Sequence, residues 1–326
     1  MFIICNPLID TIVSATYEQI ERLGIAPGSM NLVNYPFIEK IRTKAQVLAV
    51  TPGGSGANTA RGIAWLRGAY PSNIEVFYLG AVGQDADGKR LYQLMQAGGV
   101  VPFLSFKQGF ATGVSLVMVT PDHQRTMCTY LGACQELQKE DIPFQAVEES
   151  TVLYLTGYNW DTPNQQQVVN RVASFSKGLG KTICLDLSDP FLVHRYKHQL
   201  LSWIPSSVDL LFGNREEIHS LTETTSDEEA LERASKLVPT VVMKVGKEGC
   251  IVATQGRVQR IAAEDSQVRD TTGAGDSFAA GFLFGYLRGY SLEQCGILAN
   301  RVASRIVSVY GCDYSSIDSR GICTNG

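Results

Sequence analysis

The chemistry most legible in this 326-residue chain lies in one stretch, RDTTGAGDSFAAGFLFGYLRG, from Arg269 to Gly289. A carboxylate, Asp276, follows Gly273, Ala274 and Gly275 and precedes Phe278, Phe282, Leu283, Phe284 and Leu287. Those residues make the following helix apolar on most faces, so it must run through a core. Burial then holds the N–H groups at its mouth as an anion site, with roughly +0.5 charge from the helix dipole. Asp276 would also serve as a cap, but Ser, Thr or Asn would do that equally and without glycines on both sides of Ala274. An acid beside an anion repels its ligand unless it has a task there. Taking a proton from an attacking hydroxyl is such a task.

Other stretches carry two readings each. TPGGSGANTARGIAWLRG places Gly53, Gly54 and Gly56 before a helix expected to start near Asn58. This is either a turn that backbone geometry requires or a place where a polyhydroxyl ligand meets the backbone and the Asn58 amide. Asp10 in CNPLID would add a carboxylate that accepts two adjacent hydroxyls. In FGNREE, Asn214 and Glu217 share a helical face; they form a capping box or hold the waters of a magnesium ion. Gly246 and Gly249 in KVGKEGC make a hairpin turn or leave room for a nucleotide along the backbone. GQDADGKR nearly fits a phosphate loop, yet Arg90 stands where a hydroxyl should ligate magnesium, and Asp85 and Asp87 are anionic. A tight strand-to-helix connection is the better reading, with Asp85 helping to shape a site.

These residues need a frame. Runs such as IEVFYLGAV, TVLYLTGY, KTICLDLS, SVDLLFGN and TVVMKVG are short, apolar and rich in β-formers, and polar helical patterns follow them, as at 164–177 and 227–237. Continuous apolar strands alternating with helices predict an α/β domain with a parallel sheet covered on both faces. Two regions, about 12–50 and 100–130, break the rhythm. TGVSLVMVTPDHQRTMCTYLG reads as a hairpin with Pro121 and Asp122 in its turn. A small β-rich lid built from both regions is favoured over extra edge strands on one sheet.

Composition narrows the classes. A formal charge of −4 and no Lys/Arg run argue against nucleic-acid binding. The eight cysteines form no C-x-x-C pair and do not cluster with the four histidines, so reduced, mostly buried thiols are expected. The N-terminus lacks a basic region and no apolar run spans a bilayer, which points to a cytoplasmic protein without a membrane partner.

Taken in order, NPLID, GGSGAN, VGQDADG, the hairpin, NREE, KVGKEG and DTTGAGDSFAAGF resemble the ribokinase-like (PfkB) family of sugar and nucleoside kinases over almost the whole chain. The resemblance implies a single kinase unit, a three-layer α/β/α sandwich with a mostly parallel sheet and a β-lid, working as monomer or homodimer. It implies MgATP as donor and a primary hydroxyl as acceptor. Asp276 falls on the family's catalytic base and Gly273–Gly275 on its anion hole. Asn214 and Glu217 fall on the element associated with hydrated magnesium. Gly246, Gly249, Thr272 and Asn300 fall on the nucleotide side, with Lys244 where many members have Thr. Asp270, Thr272 and Ser315 match positions where some members bind potassium. CNPLID, RTMCTYLGA and DLSDPF are most similar to the bacterial adenosine-kinase branch. That branch would use Asp10, Gly53, Gly54 and Asn58 for ribose, Tyr158 or Phe106 to stack on the base, and Arg125 to approach the phosphate. Inosine, guanosine or a fructose- or ribose-like sugar remain alternative acceptors, and a non-catalytic ligand sensor a different class.

Overall fold

The computed structural model describes residues 1–122 and 124–323. In chain order the strands are β1 (Phe2–Ile4), β2 (Leu8–Ser14), β3 (Met30–Leu32), β4 (Val47–Gly53), β5 (Phe77–Gly83), β6 (Val101–Lys107) and β7 (Gly113–Val119). There follow β8 (Arg125–Tyr130), β9 (Val152–Thr156), β10 (Thr182–Asp186), β11 (Leu210–Asn214), β12 (Thr240–Lys244), β13 (Cys250–Thr254) and β14 (Arg257–Ile261). The helices are α1 (Tyr17–Arg22), α2 (Tyr35–Arg42), α3 (Ser55–Ala69), α4 (Ala86–Ala97), α5 (Phe144–Glu149) and α6 (Pro163–Gly178). Beyond them lie α7 (Pro190–Ser207), α8 (Arg215–Thr222), α9 (Asp227–Ser235), α10 (Ala274–Leu287) and α11 (Leu292–Ile306).

The apolar runs become one nine-stranded sheet in the order β14-β13-β12-β11-β10-β9-β1-β5-β6. Its pairs are parallel from β6 to β12, and β12, β13 and β14 then meander antiparallel. Successive side chains leave a strand on opposite faces, which divides the interior into two cores. Ile3 and Cys184 face one core with α3, α10 and α11. Phe2, Ile183 and Leu185 face the other with α6 to α9. Helix–sheet–helix layering follows directly. As its sequence requires, α10 is buried continuously from Ser277 to Gly285.

A second, five-stranded sheet runs β3-β8-β7-β2-β4. The expected hairpin is there: β7 and β8 pair antiparallel, and the Thr120 N–H reaches the Gln124 carbonyl across Pro121 and Asp122. One face packs Val13, Leu116, Met118 and Cys128 on Ile20 of α1 and Ile38 of α2. Residues 101–107, expected in this unit, instead form the edge of the large sheet by pairing with β5. The second sheet begins at Leu8, earlier than the break in rhythm suggested. Among the described residues no helix is long and apolar enough to cross a membrane.

Candidate active site

A cavity of about 750 Å³ opens where β10, β11 and β12 end and the second sheet leans over. Ligand sites at the carboxyl ends of parallel strands are the general rule for such sheets. At its floor stands the mouth of α10. Gly273 precedes the helix with φ +74°, a left-handed conformation that glycine adopts without strain. The Gly273 and Gly275 N–H groups find no acceptor among the described residues, whereas the Ala274 N–H is spent on the Thr271 carbonyl at 3.2 Å. Two of these three successive N–H groups are therefore left to face the cavity.

Asp276 does not cap its own helix. Its carboxylate accepts from Ser55 Oγ at 2.7 Å and Asn58 Nδ2 at 2.8 Å, both on α3. Burial raises its pKa above the ordinary carboxylate value, while those two donors pull the other way. The result is a carboxyl group held in one orientation and more basic than a free aspartate, as a general base needs. α3 starts at Ser55, three residues before the expected Asn58, so Ser55 sits on its first turn facing α10.

The other acid, Asp10, lies on β2, paired across the second sheet with Ser115, which in turn pairs with Thr129; all three line the cavity. Its pKa is pushed up to about 7, first by burial and then by Asp276, against the pull of Arg61 and Arg125. The two glycines divide their work. A Cβ on Gly53 would stand 2.0 Å from the Asp10 carboxyl carbon, so Gly53 makes room for that acid without itself lining the cavity. Gly54, at φ +90°, does line it, and a Cβ there would stand 2.0 Å from the Asn6 carbonyl oxygen. The turn is one that backbone geometry requires, and it also lines the cavity.

On the opposite wall, Asn214 and Glu217 form the capping box of α8, with 2.8 Å bonds in both directions. They also line the cavity. Glu217 is 3% exposed, and burial pushes its pKa up to about 7 despite the Lys244 ammonium nearby. Lys244 Nζ binds both oxygens of Asp186, at 2.8 and 3.1 Å. Gly246 and Gly249 sit in the tight β12–β13 connection, also on the cavity wall, as do Thr272, Arg125 and Tyr158. Tyr158 donates its hydroxyl to the Ser188 carbonyl at 3.3 Å. Asn300 lines the cavity from α11 and spends its amide N–H groups on the carbonyls of Ile261 and Ala262.

Three expectations fare differently. Phe106 is 40% exposed on the edge strand β6, packs on Tyr92, and has no place at the cavity. Asp85 also lies outside it: its carboxylate caps α4 at Gly88 and ties down Thr112, which makes VGQDADG a structural connection. Asp270 is fully buried and accepts from the Thr272 N–H, the Thr272 hydroxyl and the Gly311 N–H, joining the two segments expected to share a site. Ser315, however, is exposed, with its hydroxyl on Asp313. Seven cysteines are buried and Cys323 is half-buried; all eight are free.

Two cavity residues escaped the sequence reading. Ser55 stood inside the quoted GGSGAN, but nothing local marks it as the partner of a residue 221 positions away. Asp186 ends an apolar strand, and an acid at the end of KTICLD was the available signal.

The Asp276 carboxylate held beside free N–H groups at a helix mouth, inside a cavity at the strand ends of a parallel sheet, is an arrangement that suits an α/β phosphotransferase with an alcohol group as acceptor. Residues 23–320 match the pfkB family carbohydrate kinase model, and the chain belongs to that family, with its ribokinase-like fold. The chain is similar to the crystal structure of adenosine kinase from Sinorhizobium meliloti, with 36% identity and a TM-score of 0.91 over 95% of this chain and 94% of that one. It is also similar to a probable sugar kinase protein from Rhizobium etli, at 33% identity and TM-score 0.91 over 95% and 93% of the two chains. The adenosine kinase of Schizosaccharomyces pombe is 27% identical over 94% of this chain and 93% of its own.

Proposed function

We infer that this kinase transfers the γ-phosphoryl group of ATP to the 5′-hydroxyl of a nucleoside, adenosine foremost, with Asp276 as the general base. The observation that carries the reading is the Asp276 carboxylate, made basic by burial and aimed by Ser55 and Asn58 beside the N–H groups of Gly273 and Gly275. Similarity to the Sinorhizobium meliloti and Schizosaccharomyces pombe adenosine kinases supports a nucleoside acceptor. Similarity to the Rhizobium etli probable sugar kinase supports the second reading, a free sugar.

Phosphoryl transfer asks the protein mainly to align groups and to stabilise charge on the equatorial oxygens. Asp10 and the backbone at Gly54 offer the acceptor's vicinal hydroxyls a carboxylate and a close approach, and Tyr158 offers its base an aromatic face. Asp276 then takes the 5′-hydroxyl proton as that oxygen attacks. The Gly273 and Gly275 N–H groups receive the migrating phosphoryl oxygens. Arg125 adds a positive charge from the second sheet, which acts as a lid that excludes water.

Magnesium, carried on the nucleotide, would neutralise the β- and γ-phosphate oxygens. No cluster of three chelating His, Cys, Asp or Glu side chains exists among the described residues. Asn214 and Glu217 fit an ion that keeps its waters and meets the protein through them. Potassium fits less well: one oxygen of Asp270 already accepts two protein donors and the other a third, whereas each Glu217 oxygen accepts a single donor and can still accept from a water; no step is assigned to potassium.

The test is ADP release with adenosine, inosine, guanosine, ribose and fructose. The highest kcat/KM is expected with adenosine. Preference for a free sugar would replace the acceptor, and no acceptor-dependent ADP with any compound would remove the reading.

A further inference from the structure

Three neighbouring parallel strands, β10, β11 and β12, end in Asp186, Asn214 and Lys244, all on the cavity wall. The cavity is mostly acidic. Its basic side chains among the described residues are Arg125, on the second sheet, Lys247, on an exposed turn, and Lys244. Lys244 alone is both deep, with a side chain 14% exposed, and set against the anion turn. A Cβ built on Gly275 would stand 3.3 Å from its Nζ, so the ammonium reaches the space beside the N–H that this glycine presents. Asp186, whose side chain is 3% exposed, chelates that ammonium with both oxygens. A flexible four-carbon stem with a rotatable ammonium does not hold such a position unaided.

We propose that Lys244 is a second cation, beside Arg125, that meets the transferred phosphoryl group and that Asp186 is its positioning residue, aiming the ammonium across the mouth of α10. Asp186 supplies the counter-charge in the resting site, and phosphate oxygens join it when the nucleotide arrives. Asp186 acts through Lys244, without touching the acceptor. The inference rests on the kinase reading above and adds a cation that the N–H groups at the turn do not provide.

A double-mutant cycle separates this role from a structural ion pair. Lys244→Met is expected to lower kcat/KM for ATP by about 10²–10³-fold, the usual cost of losing one charge-stabilising donor. Asp186→Asn should lower it by about 10–100-fold through misplacement of the ammonium. In the Lys244→Met background, Asp186→Asn should cost less than about threefold, since its target is gone. Each single variant breaks the buried pair and should lose melting temperature, whereas the double variant removes both charges and should regain it. Calorimetric titration with MgATP, without acceptor, should show weaker binding for every variant lacking Lys244, with acceptor affinity unchanged.

Activity that returned with melting temperature in the double variant would make the pair structural and overturn the proposal. So would full additivity, which would mean that Asp186 acts on something other than Lys244. A wild-type protein that is an active kinase, with a Lys244→Met variant of unchanged kcat/KM for ATP, would refute this inference and leave the kinase reading standing. Failure of the wild type with every acceptor would remove both.

Discussion

The nine-stranded sheet is buried on both faces by helices, whereas the five-stranded sheet packs one face on two helices of six and eight residues and turns the other to the cavity. The first keeps the ends of its central strands still because two cores grip them. The second holds Asp10, Ser115, Arg125 and Thr129 on a thin layer whose β4 edge exposes Val47 and Val50. On the proposed reading, chemistry that depends on fixed distances sits at the ends of the large sheet, and the residues that admit and release the acceptor sit on the layer that has less to hold it. Few buried contacts and exposed edges are the physical content of a region that opens locally.

The sharpest way to break this division is at its rigid side. Asp276→Asn should reduce kcat by about 10²–10⁴-fold while acceptor binding persists, measured by steady-state kinetics and calorimetry; near-normal turnover would dismiss the base. Phe282, fully buried between Phe278 and Phe212 on α10, tests the core itself. Phe282→Ala should cost about 3–5 kcal/mol in urea unfolding, while Val50→Thr on the exposed edge of β4 should stay within about 0.5 kcal/mol. Similar costs at the two sites would erase the contrast.

On the thin layer, Arg125→Ala should lower kcat by about tenfold or more, the scale of a lost charge on the transferred group, with melting temperature unchanged. Loss of stability instead would return Arg125 to a structural charge. Asp10 sharpens the comparison through pH. Its folded pKa of about 7 exceeds the ordinary 3.8. The folded chain therefore binds that proton more tightly than the unfolded one. The stabilisation is complete below pH 3.8 and is lost as pH rises through about 7. Asp10→Asn should flatten this decline in melting temperature and raise KM for the acceptor; an unchanged decline would place its source elsewhere. The smallest effect concerns motion. Amides of β2, β7 and β8 should exchange with solvent sooner than those of β10 and β11 and gain protection when acceptor binds, whereas equal exchange would make the two sheets one rigid body.

Much of this was readable in one dimension, for specific reasons. The short, β-branched run TVVMK favours a strand buried on both faces, and the longer AGDSFAAGFLFGYL favours a helix through a core. The capping box of Asn214 and Glu217 spans three residues, so its geometry is local. The edge strand 101–107 was misplaced because its residues are compatible with either sheet, and only pairing with β5 decides. Phe106, an aromatic expected near the lid, sits instead on that edge strand and packs on Tyr92.

Sequence by itself determined which groups were available: the carboxylate of Asp276 after two glycines, the acid at Asp10, and the helices and strands that carry them. Those follow from spacing and backbone preference within a few residues. Tertiary structure alone decided who meets whom. It brought Ser55 and Asn58 to Asp276, Asp186 to Lys244, and Gly53 under Asp10. The reason is that an ion pair or hydrogen bond acts over a few ångströms, while its partners here lie from 58 to 221 residues apart and leave no local pattern to mark the pairing.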